Sequence, residues 1–202
     1  MLKRKMVTAA LVVAGIFASL EYTSVAQPNQ PATPQNQPAT PRSQSKLTPL
    51  DRQFVMDAAQ GGMAEVSLGQ MATQRATSNA VKQYGQRMVR EHTQANKELM
   101  QLASQKGVTP PKDMGPKYKA AMDRLSQLPK ASFDQAYMSE AGINGHLESQ
   151  AVYQRQAQLG QDPDLKAFAA KILPTVVNHL QMARDMKSNT AAKNQSNTTV
   201  KN

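Results

Sequence analysis

Four segments with the periodicity of an amphipathic helix, each closed off by start and stop residues, fill most of residues 48–187 and set the fold class. In the first, Phe54, Ala58, Gly61/Gly62, Glu65, Leu68 and Ala72 recur at helical intervals rather than alternating. Thr48-Pro49-Leu50-Asp51 before them supplies an N-cap, a proline at the first helical position and an acid in the first turn. The second follows Thr77-Ser78-Asn79, carries Val81, Tyr84, Met88, His92, Ala95, Leu99 and Leu102 on one face, and stops at Gly107. The third opens on Ser132-Phe133-Asp134-Gln135, a capping-box pattern, and runs to Gly160. It turns Phe133, Ala136, Tyr137, Glu140, Ile143 and Leu147 toward the core, with His146, Gln150 and Tyr153 on an adjoining stripe. The fourth, capped by Asp162-Pro163-Asp164, buries Leu165, Phe168, Ile172, Val176, His179, Ala183 and Met186, and Pro174 is predicted to kink it. Val108-Thr109-Pro110-Pro111 breaks the chain after the second segment, and Gly115-Pro116 opens a short helix that ends near Gln127.

The expected architecture is therefore all-α: an antiparallel four-helix bundle with a short extra helix between the second and third long helices. Both a turn-back and a crossover through residues 108–131 fit this reading.

The flanks differ in kind. Lys3, Arg4 and Lys5, an apolar run from Met6 to Leu20 and the small residues Ser24-Val25-Ala26 make residues 1–26 a predicted cleaved signal peptide, which places the mature chain in the periplasm or outside the cell. Residues 27–47, rich in Gln, Pro, Thr and Ala with Asn29-Gln-Pro-Ala-Thr-Pro34 returning as Asn36-Gln-Pro-Ala-Thr-Pro41, are a predicted disordered spacer, and residues 188–202 a predicted disordered tail. The bundle domain is residues 48–187. The chain has no cysteine, so neither a lipid anchor on cysteine nor a disulfide framework is open to it. The formal charge of +10, which falls to +8 once Lys3, Arg4, Lys5 and Glu21 are removed, is scattered and not interleaved with aromatic residues, so nucleic acid is not an expected partner. An envelope or cell-surface component and a second copy of the chain both remain compatible partners.

Glu65, His92, His146 and His179 each lie near the centre of a predicted helix of about 40 Å, at ~1.5 Å per residue. Centres stay level whichever way the helices run. A carboxylate and three imidazoles at one level have the donor chemistry of a first-row transition metal, Zn, Fe, Mn or Cu. The alternative is a buried hydrogen-bonded cluster that only fixes helix register. Four residues before Glu65 and His146 stand Gly61 and Gly142, expected to leave room beside each polar side chain. Met88 and Met182, one turn from His92 and His179, are soft-ligand neighbours for copper or silver, or adaptable core filler. A di-iron carboxylate centre lacks its Glu-x-x-His pairs, since Val89, Ile143 and Val176 stand three residues before the histidines. Neither a cysteine nucleophile nor a phosphate-binding loop is present, so no catalytic or organic-cofactor residues are expected.

The stretches Phe54–Glu65, Val81–His92, Phe133–Tyr137 and Leu173–His179 resemble the bacterial family called domain of unknown function 4142, over about residues 48–187. The resemblance implies a ferritin-like four-helix bundle in exported, often envelope-associated proteins without an established activity, with Glu65, His92, His146 and His179 as family-like polar positions. Glu91 stands where an aspartate is expected, a departure expected to leave the site unaffected. The leading expectation is an exported, non-enzymatic metal-binding bundle active in envelope, metal or oxidative stress. A structural envelope module is the alternative, and an oxidase-like relative a weaker third.

Overall fold

Helical spacing in the sequence becomes four long rods in the computed structural model, which describes residues 47–199, with side chains to residue 189. The expected signal peptide and nearly all of the expected spacer lie outside the described residues. Leu47, assigned to the spacer, is buried and belongs to the core, so the domain starts one residue early.

The first rod is α1 (Pro49–Arg75) and the second α2 (Asn79–Gln105). Thr48 and Asp51 form a complete capping box at the start of α1. No side chain of its own caps α2. Instead Asp134, from the third rod, accepts from the Thr77 and Ser78 amides at 3.0 and 2.7 Å and from the Thr77 hydroxyl at 2.8 Å. Gly107 ends α2 at φ +65°, a left-handed conformation that glycine adopts freely, with its amide on the Ser104 carbonyl and Val108 returning to Ala103. The short helix α3 (Gly115–Gln127) follows as expected.

The third rod is continuous but composite. It consists of α4 (Lys130–Tyr137), a π-helical segment (Met138–Gly145) and α5 (His146–Leu159). It begins two residues before Ser132, with the Pro129 carbonyl taking the Ser132 and Phe133 amides, so the Ser132 capping box does not form. The fourth rod is α6 (Pro163–Thr199), which stays helical through Pro174 and past Lys187, where a tail was expected to begin. Extending an existing helix needs no new nucleus, so a polar stretch can continue one.

Residue pairs fix the directions. Gly69 faces Gly85 and Gly62 faces Asn96, so α1 and α2 are antiparallel. Lys171 with Glu98 and Lys106 with Asp164 do the same for α2 and α6, and His146 with His179 and Tyr153 with Phe168 for the third rod and α6. Tyr84 with Tyr137 and His92 with His146 show α2 and the third rod running parallel across the core. Residues 108–129 therefore cross over, and α3 runs back along α1 from Gln60, beside Gly115, to Arg75, whose guanidinium donates to the Leu128 carbonyl at 2.6 Å. Among the described residues no helix is long and apolar enough to cross a membrane.

At the α1–α2 crossing the two backbones touch. A Cβ on Gly69 would stand 2.8 Å from the Gly85 oxygen, and one on Gly85 2.7 Å from the Gly69 oxygen. Although alanine is favoured over glycine in a helix by ~1 kcal/mol, Gly69→Ala is expected to lose about 1–3 kcal/mol through forced separation of the helices. At Gly61 the nearest atom would be the Tyr118 hydroxyl at 3.4 Å, so Gly61→Ala should keep the propensity gain. Urea unfolding of the two variants should move in opposite directions.

Two apolar clusters fill the bundle. One holds Leu68, Tyr84, Met88, Phe133, Tyr137 and Ala183; the other holds Phe54, Ala58, Leu99, Tyr153, Phe168 and Val176. On α2, the third rod and α6 the residues between the two clusters include His92, His146 and His179, while on α1 Glu65 stands between Ala64 and Leu68 of the first cluster.

Candidate metal centre

Glu65 from α1, His92 from α2, His146 at the start of α5 and His179 from α6 are all buried, with 4, 6, 0 and 1% of their surfaces exposed. The ring centroids of His92, His146 and His179 lie 5.3–5.6 Å apart. One ring nitrogen from each histidine falls within 4.8 Å of the other two. Three nitrogens on one tetrahedral ion at ~2.1 Å stand about 3.4 Å apart, so small inward movements of the rings would complete a site. Glu65 is not in that donor set. It approaches through His146, with Oε1 at 3.6 Å from Nδ1, longer than a hydrogen bond.

The outer nitrogens decide what the inner ones can do. His146 Nδ1 lies 3.0 Å from the Ala141 carbonyl, which can only accept, so Nδ1 carries the proton and Nε2 keeps its lone pair. His179 Nε2 donates to Glu91 Oε2 at 2.6 Å, which leaves its Nδ1 as the lone-pair nitrogen. His146 Nε2, His179 Nδ1 and His92 Nε2 are all buried without a hydrogen-bond partner. Buried polar groups are rarely left so, and three unpartnered imidazole nitrogens in one cluster, two of them acceptors, fit a cation far better than one another.

Charge agrees with this. Burial, then the neighbouring His146 and His179, hold His92 well below the usual histidine range. Burial lowers His179 to about 4, against the pull of Glu91. Both are thus neutral, as metal ligands must be. Burial raises Glu65, opposed by His146. For the metal-free protein the signs follow. Below the ordinary histidine value of 6.5 the unfolded chain takes up protons at His92 and His179 that the native one refuses, so stability falls on acidification. His179 alone accounts for on the order of 3 kcal/mol between its two values, 6.5 and about 4. Glu65 works the other way, because its native carboxyl keeps a proton above 4.5 that the unfolded one has lost. Two histidines outweigh one carboxyl, so thermal melts in chelated buffer should show a lower Tm at pH 5 than at pH 7.5; a flat profile would contradict the assignment of both histidines as neutral.

Three sequence expectations need correction. Leu147, placed toward the core, is 42% exposed, and His146, placed on an adjoining stripe, is fully buried. The π-helical segment is the reason: it inserts an extra residue, so the buried face steps by five from Ala141 to His146. The glycines expected to make room are also different. A Cβ on Gly61 would meet Tyr118, and one on Gly142 would meet Ala183 and Met138, whereas Gly145 makes room for Glu65, whose Oε1 would be 2.9 Å from its Cβ. Glu91, expected to leave the site unaffected, is the partner of His179. Its position one residue before His92 gave no sign of this, since it reaches a different helix. Met88 and Met182 pack in the first apolar cluster, as core filler would.

The model of the family described as Domain of unknown function (DUF4142) matches residues 36–186. The chain belongs to that family. Among solved structures, a DUF305 fragment from Deinococcus radiodurans is similar at a TM-score of 0.64 and 16% identity, covering 72% of this chain and 99% of that one. At that identity the likeness speaks for the DUF4142 chain's fold alone. No curated protein matches it.

Proposed function

We propose that this DUF4142 chain is an exported, ferritin-like, non-enzymatic bundle that holds one first-row transition metal ion through His92, His146 and His179. The observation that carries the reading is the set of three buried, unpartnered imidazole nitrogens, two of them oriented from behind by hydrogen bonds to Glu91 and Ala141. A purely structural cluster would be expected to pair these nitrogens. The single long crossover is the connectivity of ferritin-like bundles, and the predicted signal peptide supports export. A stress role in the envelope follows as the setting for such a site. Three nitrogens with no sulfur in the donor set suit Zn, Fe, Mn or Cu(II). Glu65 meets the ion through His146 or closes on it as a fourth ligand.

Elemental analysis of protein purified without an affinity tag, before and after reconstitution, is the test. One metal per chain, a Tm raised by loading, and loss of both in His92→Ala are expected. No stoichiometric metal after reconstitution would sink the reading.

A further inference from the structure

The polar layer opens to solvent at Glu65, outside the set of three imidazoles. Between α1, α3 and the π-helical segment lies a cleft of about 350 Å³ that reaches Glu65 and Gly145 and is walled by Glu140, Asn144 and Glu148. Glu65 Oε2 is buried without a hydrogen-bond partner, and the Glu65 residue lines this solvent-connected cavity. At the rim Arg124 pairs with Glu140 at 3.0 Å and Lys117 pairs with Glu148. Both cations are about 60% exposed, and exposed ion pairs of this kind are weak and easily exchanged.

We propose that this cleft is a second cation site, in which Glu65, Glu140 and Glu148 hold a hydrated divalent cation on its way to the three imidazoles. The route, though not the binding, rests on the metal-binding reading above. Three carboxylates and the Asn144 amide oxygen are the ligand types that hard, hydrated cations take. Among the described residues only the histidines form a set of three donors within 4.8 Å, so these wider-spaced oxygens hold the ion through its water shell. Six waters at ~30 Å³ each need roughly 200 Å³, which the cleft provides. An anion would meet Glu140 and Glu148 as like charges. Glu65 joins the two sites, lining the cleft while its Oε1 lies beside His146.

Terbium(III) takes oxygen ligands and is excited through nearby tyrosine, and Tyr118 lines the cleft. Titrating the purified chain with Tb(III) should give saturable tyrosine-sensitised emission, with affinity at least tenfold weaker in the Glu140→Gln/Glu148→Gln variant. Absent emission, or equal affinity in that variant, overturns the site. Stopped-flow loading with Co(II) tests the route: the double variant should load about tenfold more slowly to the same final cobalt content. An unchanged rate overturns the route. If the wild-type chain takes up no Co(II), the imidazole site and the route to it both fail, while the Tb(III) titration still decides the cleft. Both substitutions are at partly exposed positions, and thermal melts verify that the variant is folded.

Discussion

Asp51→Ala is expected to lower the unfolding free energy by about 3–5 kcal/mol, measured by urea denaturation, because one buried carboxylate ties together three parts of the bundle. Its Oδ2 accepts from the Thr48 hydroxyl at 2.6 Å and the Thr48 amide at 3.3 Å, closing the start of α1. Its Oδ1 takes the Gln156 side chain at 2.7 Å and the backbone amides of Gln161 and Asp162 at 3.0 and 3.3 Å, where α5 turns into α6. Truncation leaves these donors without an acceptor, at ~1–3 kcal/mol for each one that water cannot reach. Against a typical total of about 5–15 kcal/mol, the loss is a large share of the stability. Asp51→Asn keeps one oxygen for the Gln156 side and should cost about 1 kcal/mol, the range of a single hydrogen bond. Burial raises the Asp51 pKa, but the bonds from Thr48, Gln156, Asp162 and Gln161 together outweigh it and leave the group below its ordinary 3.8. A depressed carboxylate stabilises above its unfolded value and loses that contribution as pH falls through its native one. The difference between wild type and Asp51→Ala should therefore narrow only below about 3.8. Equal stability of the two proteins at pH 7 would show that the hub contributes nothing.

Asp51 also marks the boundary of what the sequence could reveal. Its role as an acid in the first turn of α1 was legible, because capping is local and read over three residues. Its bonds to residues 156–162 were not, since a single sequence carries no record of contacts a hundred residues apart. The same division holds at the site. Equal helix lengths with one polar residue at each centre were enough to bring Glu65, His92, His146 and His179 to one level, because that argument needs only the rise per residue. Rotation about the helix axis was legible only where the helix was regular. In α1, α2 and α6 the predicted faces are the buried ones, while in the third rod the π-helical segment broke the 3.6-residue phase and exchanged Leu147 for His146. The five-residue step to His146, with its own side chain bonded back to Ala141, left a trace only in the paired glycines Gly142 and Gly145. Glycines pointed to room beside a polar side chain, but not to which glycine would provide it.

Glu91→Ala is expected to weaken metal binding by about 10–100-fold while leaving one ion per chain, the usual loss when the partner behind a ligating histidine is removed. Glu91 is one-third exposed, so its removal opens no core cavity and leaves the bundle folded. What is lost is the 2.6 Å bond that fixes the proton on His179 Nε2 and leaves the buried Nδ1 as the lone-pair nitrogen. Without it the imidazole can place its proton on either nitrogen, and part of the population presents N–H where a lone pair is needed. Glu91→Gln separates geometry from charge. The amide oxygen can still accept from Nε2, so orientation is kept, but the carboxylate no longer supports the positive charge that a bound ion brings. Its affinity should fall between those of wild type and Glu91→Ala. Competition titration against a chelator of known affinity measures all three proteins, and a Tm rise on metal loading that shrinks in the same order provides a second reading. Were Glu91→Ala to bind as tightly as wild type, the His179–Glu91 pair would be a surface tether of α2 to α6, and His179 would have to be oriented by packing against His92 and His146 alone.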